Sequence, residues 1–279
     1  MIDRKEIMGF SRDIRLSANI VEKDYVIGWL LAGISNHPNL SKSWVFKGGT
    51  CLKKCYFETY RFSEDLDFTL INSDIQNKDY LIKAFKNVAH WIYDATGIQI
   101  PEERIKIYPY KNPRGKISIQ CRIYYRGPMQ PGGDLPRIKI DLADDEIVVY
   151  NPINRDVYHP YSDKPLNGIQ IQSYCYEELF AEKMRALTER LRPRDLYDIV
   201  HLFQNISPNH SKDMINKALL KKCEYKDISK PTMNIIKNKP ERNELEIEWV
   251  NMLGHQVPEL PPFEKFWEKL PDIFNWLYQ

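Results

Sequence analysis

No CxxC pair and no Cys/His grouping with zinc-ligand spacing occurs in this sequence, which excludes the common structural zinc modules. A GxxxxGK[ST] loop after a first strand is missing, and so is GxGxxG, so neither of the two familiar phosphate-binding loops is present. Long apolar runs are missing too: the longest nearly unbroken one, Tyr25 to Ile34, is too short to span a bilayer, and no membrane association is expected. The cysteines number 5, namely Cys51, Cys55, Cys121, Cys175 and Cys223. An odd count with no signal peptide in view points to the reducing cytosol, with Cys51 and Cys55, one helical turn apart, packing as small apolar residues. Internal repeats and low-complexity tracts are absent as well.

What is present is an ordinary soluble composition, 43% hydrophobic and 28% charged over 279 residues, enough for one large core or two small ones. The net charge of +2 decides nothing about nucleic acid, but its distribution is uneven. From Lys183 to Lys239, 13 Lys and Arg stand against 6 Asp and Glu; from Glu241 onward the balance is 3 against 8. Such a basic stretch with an acidic tail suits an RNA-facing surface with a self-masking end, and equally suits mixed, solvated helix faces.

The stretch FKGGTCLKKCYFETYRFSEDLDF, Phe46 to Phe68, carries the chemistry. It reads as the end of a strand, a Gly-Gly turn, a short helix and a second strand. On that strand Asp65 and Asp67 share one face while Leu66 and Phe68 turn inward. Two convergent carboxylates suit a hard cation such as Mg2+. Gly48 and Gly49 let a phosphate approach the backbone, and the helix beginning near Thr50 offers free N–H groups. In the run Ile138 to Leu142, alternation sets Asp141 opposite to Ile138, Ile140 and Leu142, so a third carboxylate joins the pair if the strands are neighbours. Asp144, Asp145 and Glu146 follow where that strand ends and read as exposed turn residues.

These residues resemble the nucleotidyltransferase superfamily, and more narrowly its AbiEii/AbiGii/MenT branch. The resemblance rests on GGTCLKKCYFETYRFSEDLDF at 48 to 68, KIDL at 139 to 142, YEELFAEKMRALTER at 176 to 190 and RDLYDIVHL at 194 to 202. It implies an α/β fold: a nucleotidyltransferase-like mixed sheet with flanking helices, followed by a helical C-terminal domain. It also implies a toxin that moves a nucleotide from an NTP to RNA, with the 3′ end of tRNA as the acceptor, or alternatively to protein, using Mg2+ or Mn2+, with an AbiEi-like antitoxin encoded elsewhere. Asp65, Asp67 and Asp141 would hold metal, and Asp141 would alternatively take the proton of the attacking hydroxyl. Gly48, Gly49, Thr50 and Ser63 would meet the nucleotide. Lys183 would contact the triphosphate, and Asp195 would stand near the sugar, the metal or the attacking group. Fifteen residues separate Gly49 from Asp65, more than in minimal relatives, so an extra turn of helix or loop is expected before the metal strand.

Each of these residues also has a plainer reading. Lys183, three residues after Phe180, could snorkel at the edge of the stripe Tyr176, Phe180, Met184, Leu187 and Leu191, braced by Glu182 and Arg185. Asp195 could cap or favour the N-terminus of its helix, with Asp198 bracing Arg194 or Arg190. Ser63, beside Arg61, could be a turn serine. A module of the same fold without catalysis, or a metal-dependent nuclease, are the alternative functions; the nuclease gives no reason for Gly-Gly or Lys183.

The remaining expectations concern organisation. Residues 1 to 40 look helical and serve as scaffold, with Glu22, Lys23 and Asp24 on a solvated face. Lys78 to Asp94 reads as a helix ended by Gly97; Arg104 to Tyr108, Lys116 to Tyr125 and Arg137 to Leu142 read as strands. The first domain is expected over 1–150. A linker follows at 151–168, rich in Pro, Asn and Asp. Helices then fill 169–279, at 176–191, 194–204, 211–224, 231–237, 244–253 and 263–279.

Overall fold

The computed structural model describes residues 1–58, 60–71, 77–112, 115–130 and 132–279. Three helices precede the first strand, and the helical stretch expected over residues 1–40 is two helices rather than one. α1 (Arg4–Ile14) is capped by the Asp3 carboxylate, which accepts from the Glu6 N–H at 2.9 Å. It ends at Arg15 in the left-handed region, φ 54°. α2 (Ala18–Asn36) then runs to His37 and is buried on nearly every side, with Tyr25, Val26, Ile27, Leu30 and Leu31 inaccessible to solvent.

A short α3 (Leu40–Ser43) leads into β1 (Trp44–Lys47), α4 (Gly48–Cys51) and a π-helical turn over Leu52–Tyr56. That π turn, with the irregular chain after it, is the additional length before the acidic strand β2 (Asp65–Leu70). α5 (Lys78–Thr96) is capped by Asn77 and closed by Gly97 at φ 80°. The strands β3 (Ile105–Lys111), β4 (Ile117–Tyr124) and β5 (Arg137–Ala143) follow. The turn expected over residues 112–115 and the loop from 127 to 136 include positions 113, 114 and 131, which lie outside the described residues.

A mixed sheet of 7 strands forms in the order β3-β4-β5-β2-β1-β7-β6. β2 runs parallel to β5 and antiparallel to β1. Alternation sends Ile107, Ile119, Cys121, Ile123, Ile138, Ile140, Leu142, Leu66 and Phe68 into the core. Polar residues line the opposite face.

Several sequence expectations change here. The stretch at 151–168 is not only a connection: β6 (Ile153–Asp156) lies in it and pairs with β7 (Gln170–Ser173), which pairs in turn with β1 through Phe46 and Ser173. Proline and asparagine flank this edge strand without interrupting it. Glu22 and Asp24 are buried, at 2% and 4% exposure, rather than solvated. Their partners explain it: Glu22 accepts from the Met129 N–H at 2.7 Å, and Asp24 meets the Lys54 ammonium at 2.6 Å and the Tyr161 hydroxyl at 3.0 Å. Asp145 is likewise buried, taking the Asn112 amide at 2.5 Å.

The chain divides into two compact units, one of residues 1–146 with 152–173 and one of 147–151 with 174–279. The second unit is helical: α6 (Tyr176–Arg190), α7 (Pro193–Gln204), α8 (Lys212–Tyr225), α9 (Met233–Lys237), α10 (Arg242–Leu253), α11 (Phe263–Trp267) and α12 (Leu270–Tyr278). The last helix expected from sequence is thus two, broken before Leu270–Pro271. Within this unit the buried Glu178 carboxylate accepts from the Val149 and Tyr150 N–H groups at 2.8 and 3.0 Å and meets Lys222 at 2.9 Å. This clasp is why residues 147–151 belong to the helical unit.

Candidate active site

In the first unit, strand pairing assembles the acids. β2 and β5 are neighbours in parallel register, with Asp67 opposite Asp141 and Asp65 opposite Lys139. All four side chains are half-buried on one face, between buried apolar neighbours of the other. Neighbouring strands lie about 4.8 Å apart, so Asp67 and Asp141 share one neighbourhood and Asp65 stands one pleat away.

Gly48 closes the end of this neighbourhood. Its φ of 78° is left-handed, and a Cβ there would lie 2.2 Å from Asp67 Oδ2. Both facts demand glycine. Gly49 is packed as tightly, since a Cβ there would lie 2.5 Å from Arg61 Nη2 and 3.2 Å from Ser63 Oγ. Arg61 and Ser63 are therefore beside the turn, with Arg61 only 2% exposed. Thr50 is fully buried, and its hydroxyl donates to the Asp65 carbonyl. It ties the turn to β2, and this hydrogen bond takes up the donor that a nucleotide contact would use.

Asp141 is held by a residue that sequence reasoning missed. Gln120, opposite it on β4, donates its amide to Asp141 Oδ1 at 3.2 Å and accepts from Arg122 Nε at 2.9 Å. Burial raises the Asp141 carboxyl above its usual range; the Gln120 hydrogen bond opposes this and the charge of Asp65 adds to it. Only the strand register reveals Gln120, because nothing in its local sequence marks it.

Among the described residues, no group of three or more His, Cys, Asp or Glu side chains is gathered closely enough to hold a metal ion. The donor set nevertheless fits a hard divalent cation. It consists of carboxylates on adjacent strands, near enough for Asp65 to raise the proton affinity of Asp141, with the Asp67 carboxylate seated against Gly48.

In the second unit, Lys183 and Asp195 come together. Lys183 Nζ lies 2.7 Å from Asp198 Oδ2 and 3.4 Å from Asp195 Oδ1. Arg190 grips Asp195 with two hydrogen bonds, of 2.7 and 2.9 Å. Burial pushes the Asp195 carboxyl up, but the charges of Arg190 and Lys183 outweigh it, and the net shift is downward. The bracing expected from Glu182 and Arg185 is replaced: Glu182 faces Lys222 at 3.5 Å and Arg185 pairs with Glu189. Asp198 pairs with Lys183 instead of serving only the arginines. Asp195 stands in the first turn of α7, where the N-cap is Arg192 and no side chain caps the helix.

A family model described as the nucleotidyl transferase AbiEii toxin of a type IV toxin–antitoxin system matches residues 29–271. Among solved structures, the chain is similar to MenT4, a nucleotidyltransferase toxin from Mycobacterium tuberculosis H37Rv, with TM-score 0.63 and 17% identity over 99% of this chain and 90% of that one. JHP933 from Helicobacter pylori follows with TM-score 0.58 and 15% identity, covering 94% of this chain and 93% of the other. A putative nucleotidyltransferase from H. pylori gives 0.56 and 15%, with 94% and 96% covered. At such identities these three speak for the fold. No curated protein matches the chain.

Proposed function

The chain belongs to the AbiEii family of nucleotidyltransferase toxins of type IV toxin–antitoxin systems, and on that basis we propose that it moves a nucleotide from an NTP to a hydroxyl of RNA in a Mg2+-dependent reaction. The 3′ end of tRNA is the expected acceptor. An antitoxin partner follows from the family, and an AbiEi-like protein encoded elsewhere is the proposed one.

The observation that carries this reading is the parallel register that sets Asp67 beside Asp141, with Asp65 on the same face and Gly48 packed against Asp67. Asp65, Asp67 and Asp141 would hold the divalent cation. When bound, that cation supplies charge for the entering and leaving oxygens and lowers the pKa of the acceptor hydroxyl. Asp141 would alternatively take the proton of the acceptor hydroxyl. Gln120 orients it. The Gly48-Gly49 turn allows a phosphate close to backbone N–H groups, and Ser63 and Arg61 flank the same turn. Lys183 would contact the triphosphate, and Asp195 and Asp198 fix its ammonium in place.

Incubating the protein with Mg2+, total RNA and one labelled NTP at a time tests this reading. Label on RNA is the expected result, lost in Asp65→Asn and Asp67→Asn variants that melt as the parent does. Shortened RNA would mean a nuclease, and no reaction with any NTP a non-catalytic module; either overturns the proposal.

A further inference from the structure

The face of the sheet that carries the acids continues outward as a ladder of cations and tyrosines. Opposite one another lie Lys106, Arg122, Lys139 and Asp65, and one row further Tyr108, Gln120, Asp141 and Asp67. On the other side Tyr124 faces Arg137, which donates to its hydroxyl at 3.3 Å, and the Arg104 guanidinium sits 5.7 Å from the Tyr124 ring. Arg122 lies over Tyr108 at 4.7 Å. Lys106 and Tyr108 are exposed, and Lys139 stands beside the acids, opposite Asp65 and with its charge acting on Asp141. At this end a cavity of about 620 Å³ opens between Lys23, Glu64, Arg104, Tyr124 and Arg137. Its size is that of ordinary small-ligand sites, of roughly 300 to 1,000 Å³.

Cations set side by side across neighbouring strands suit successive phosphates of a chain lying across the sheet, and exposed rings suit unpaired bases, whose π faces a flat sheet can reach as a duplex groove cannot be reached. The acids would need the reacting hydroxyl, so a strand ending there would lie across this face. Resting on the reading that the acceptor is RNA, we propose that this face binds the single-stranded segment leading to the acceptor's 3′ hydroxyl. The cavity beside Tyr124 and Arg104 takes an unstacked base, and Lys106, Arg122 and Lys139 hold backbone phosphates.

Fluorescence anisotropy with a short, 5′-labelled single-stranded oligoribonucleotide, in EDTA so that no transfer occurs, measures the surface directly. Tyr124→Ala is expected to weaken binding roughly five- to fiftyfold, as loss of one stacked base does. Lys106→Ala and Arg122→Ala are expected to flatten the salt dependence of binding by about one ion each. In transfer assays the same variants raise KM for RNA and leave KM for NTP unchanged. Lys106 is exposed on an edge strand, so its variant keeps the test sound should Tyr124→Ala fold poorly. Unchanged RNA affinity in folded variants, or a rise in KM for NTP alone, overturns the proposal; the latter result would assign the face to the incoming nucleotide. An oligonucleotide that binds and responds to the variants, in a protein that transfers nothing, upholds the surface and removes the transfer reading. Transfer to RNA that is indifferent to all three variants removes the surface alone.

Discussion

Asp141 is a carboxylate that the fold would hold more easily without its charge. Burial and the neighbouring Asp65 raise its pKa, so its ionised form weakens the folded state as pH rises from the unfolded value through the folded one. Asp141→Asn is therefore expected to abolish transfer while raising stability at neutral pH without added metal, by about 1 kcal/mol or roughly 2–4 °C. A melting curve in EDTA decides it, and a lower melting temperature would show that the carboxylate is structural. Lys183 behaves in the opposite way. From sequence, a snorkelling lysine should be removable at little cost, but the ammonium lies between two fully buried carboxylates. Lys183→Ala is expected to lose about 3 kcal/mol as well as activity, because breaking a buried pair strands its partner charge. Lys183→Arg should recover part of the stability. To separate the roles, denaturant titration reads the first loss, and NTP binding by the folded fraction reads the second. Asp195, whose pKa is lowered, adds stability above the unfolded carboxylate range near pH 4 and loses it as pH falls below.

At the scale of elements, α2 is organised around a histidine from the connection after β6. His159 is 5% exposed, and a Cβ on Gly28 would lie 2.0 Å from its Nδ1. Its ring sits among Tyr25, Trp29 and Tyr161, with centroids 5.7, 5.7 and 4.8 Å away, and among the described residues neither ring nitrogen has a hydrogen-bond partner. Burial, then the charge of Lys54, lowers its pKa to about 3. The ring is neutral in the fold and charged in the unfolded chain below about pH 6.5, so stability falls as pH drops from about 6.5 toward 3. His159→Phe is expected to flatten this acid limb while keeping the ring packing. Chemical denaturation of both proteins at pH 7 and pH 5 measures it, and parallel losses in the two would refute the assignment. The lysines of the short segment after Gly-Gly are part of the same framework. Lys54 is only 1% exposed and reaches Asp24 on α2, so the helix read as passive scaffold anchors the segment that carries the turn.

For the whole molecule, strand order decides where a working fragment can end. A fragment of residues 1–150 would lack β7, which pairs with the strand leading into Gly48, whereas 1–173 retains every strand of the sheet. Cooperative unfolding is expected of 1–173 and not of 1–150, monitored by circular dichroism. Equal behaviour would mean that β6 and β7 are dispensable. No helix among the described residues is long and apolar enough to cross a membrane. Much was legible in the order of residues alone. Asp65 and Asp67 share a face because a strand repeats every two residues, Gly48 needs a backbone without Cβ, and the buried stripe of α6 follows helical spacing. Local periodicity and steric demand act over a few residues, and these the chain states directly. Other features arise from residues far apart in sequence. The pairing of Asp67 with Asp141, the hold of Gln120 on Asp141, the burial of Glu22 and Asp24, and the grip of Asp195 and Asp198 on Lys183 are of this kind. Strand register and buried charge pairing depend on which segments become neighbours, and that choice belongs to the tertiary structure because no local energy distinguishes the alternatives.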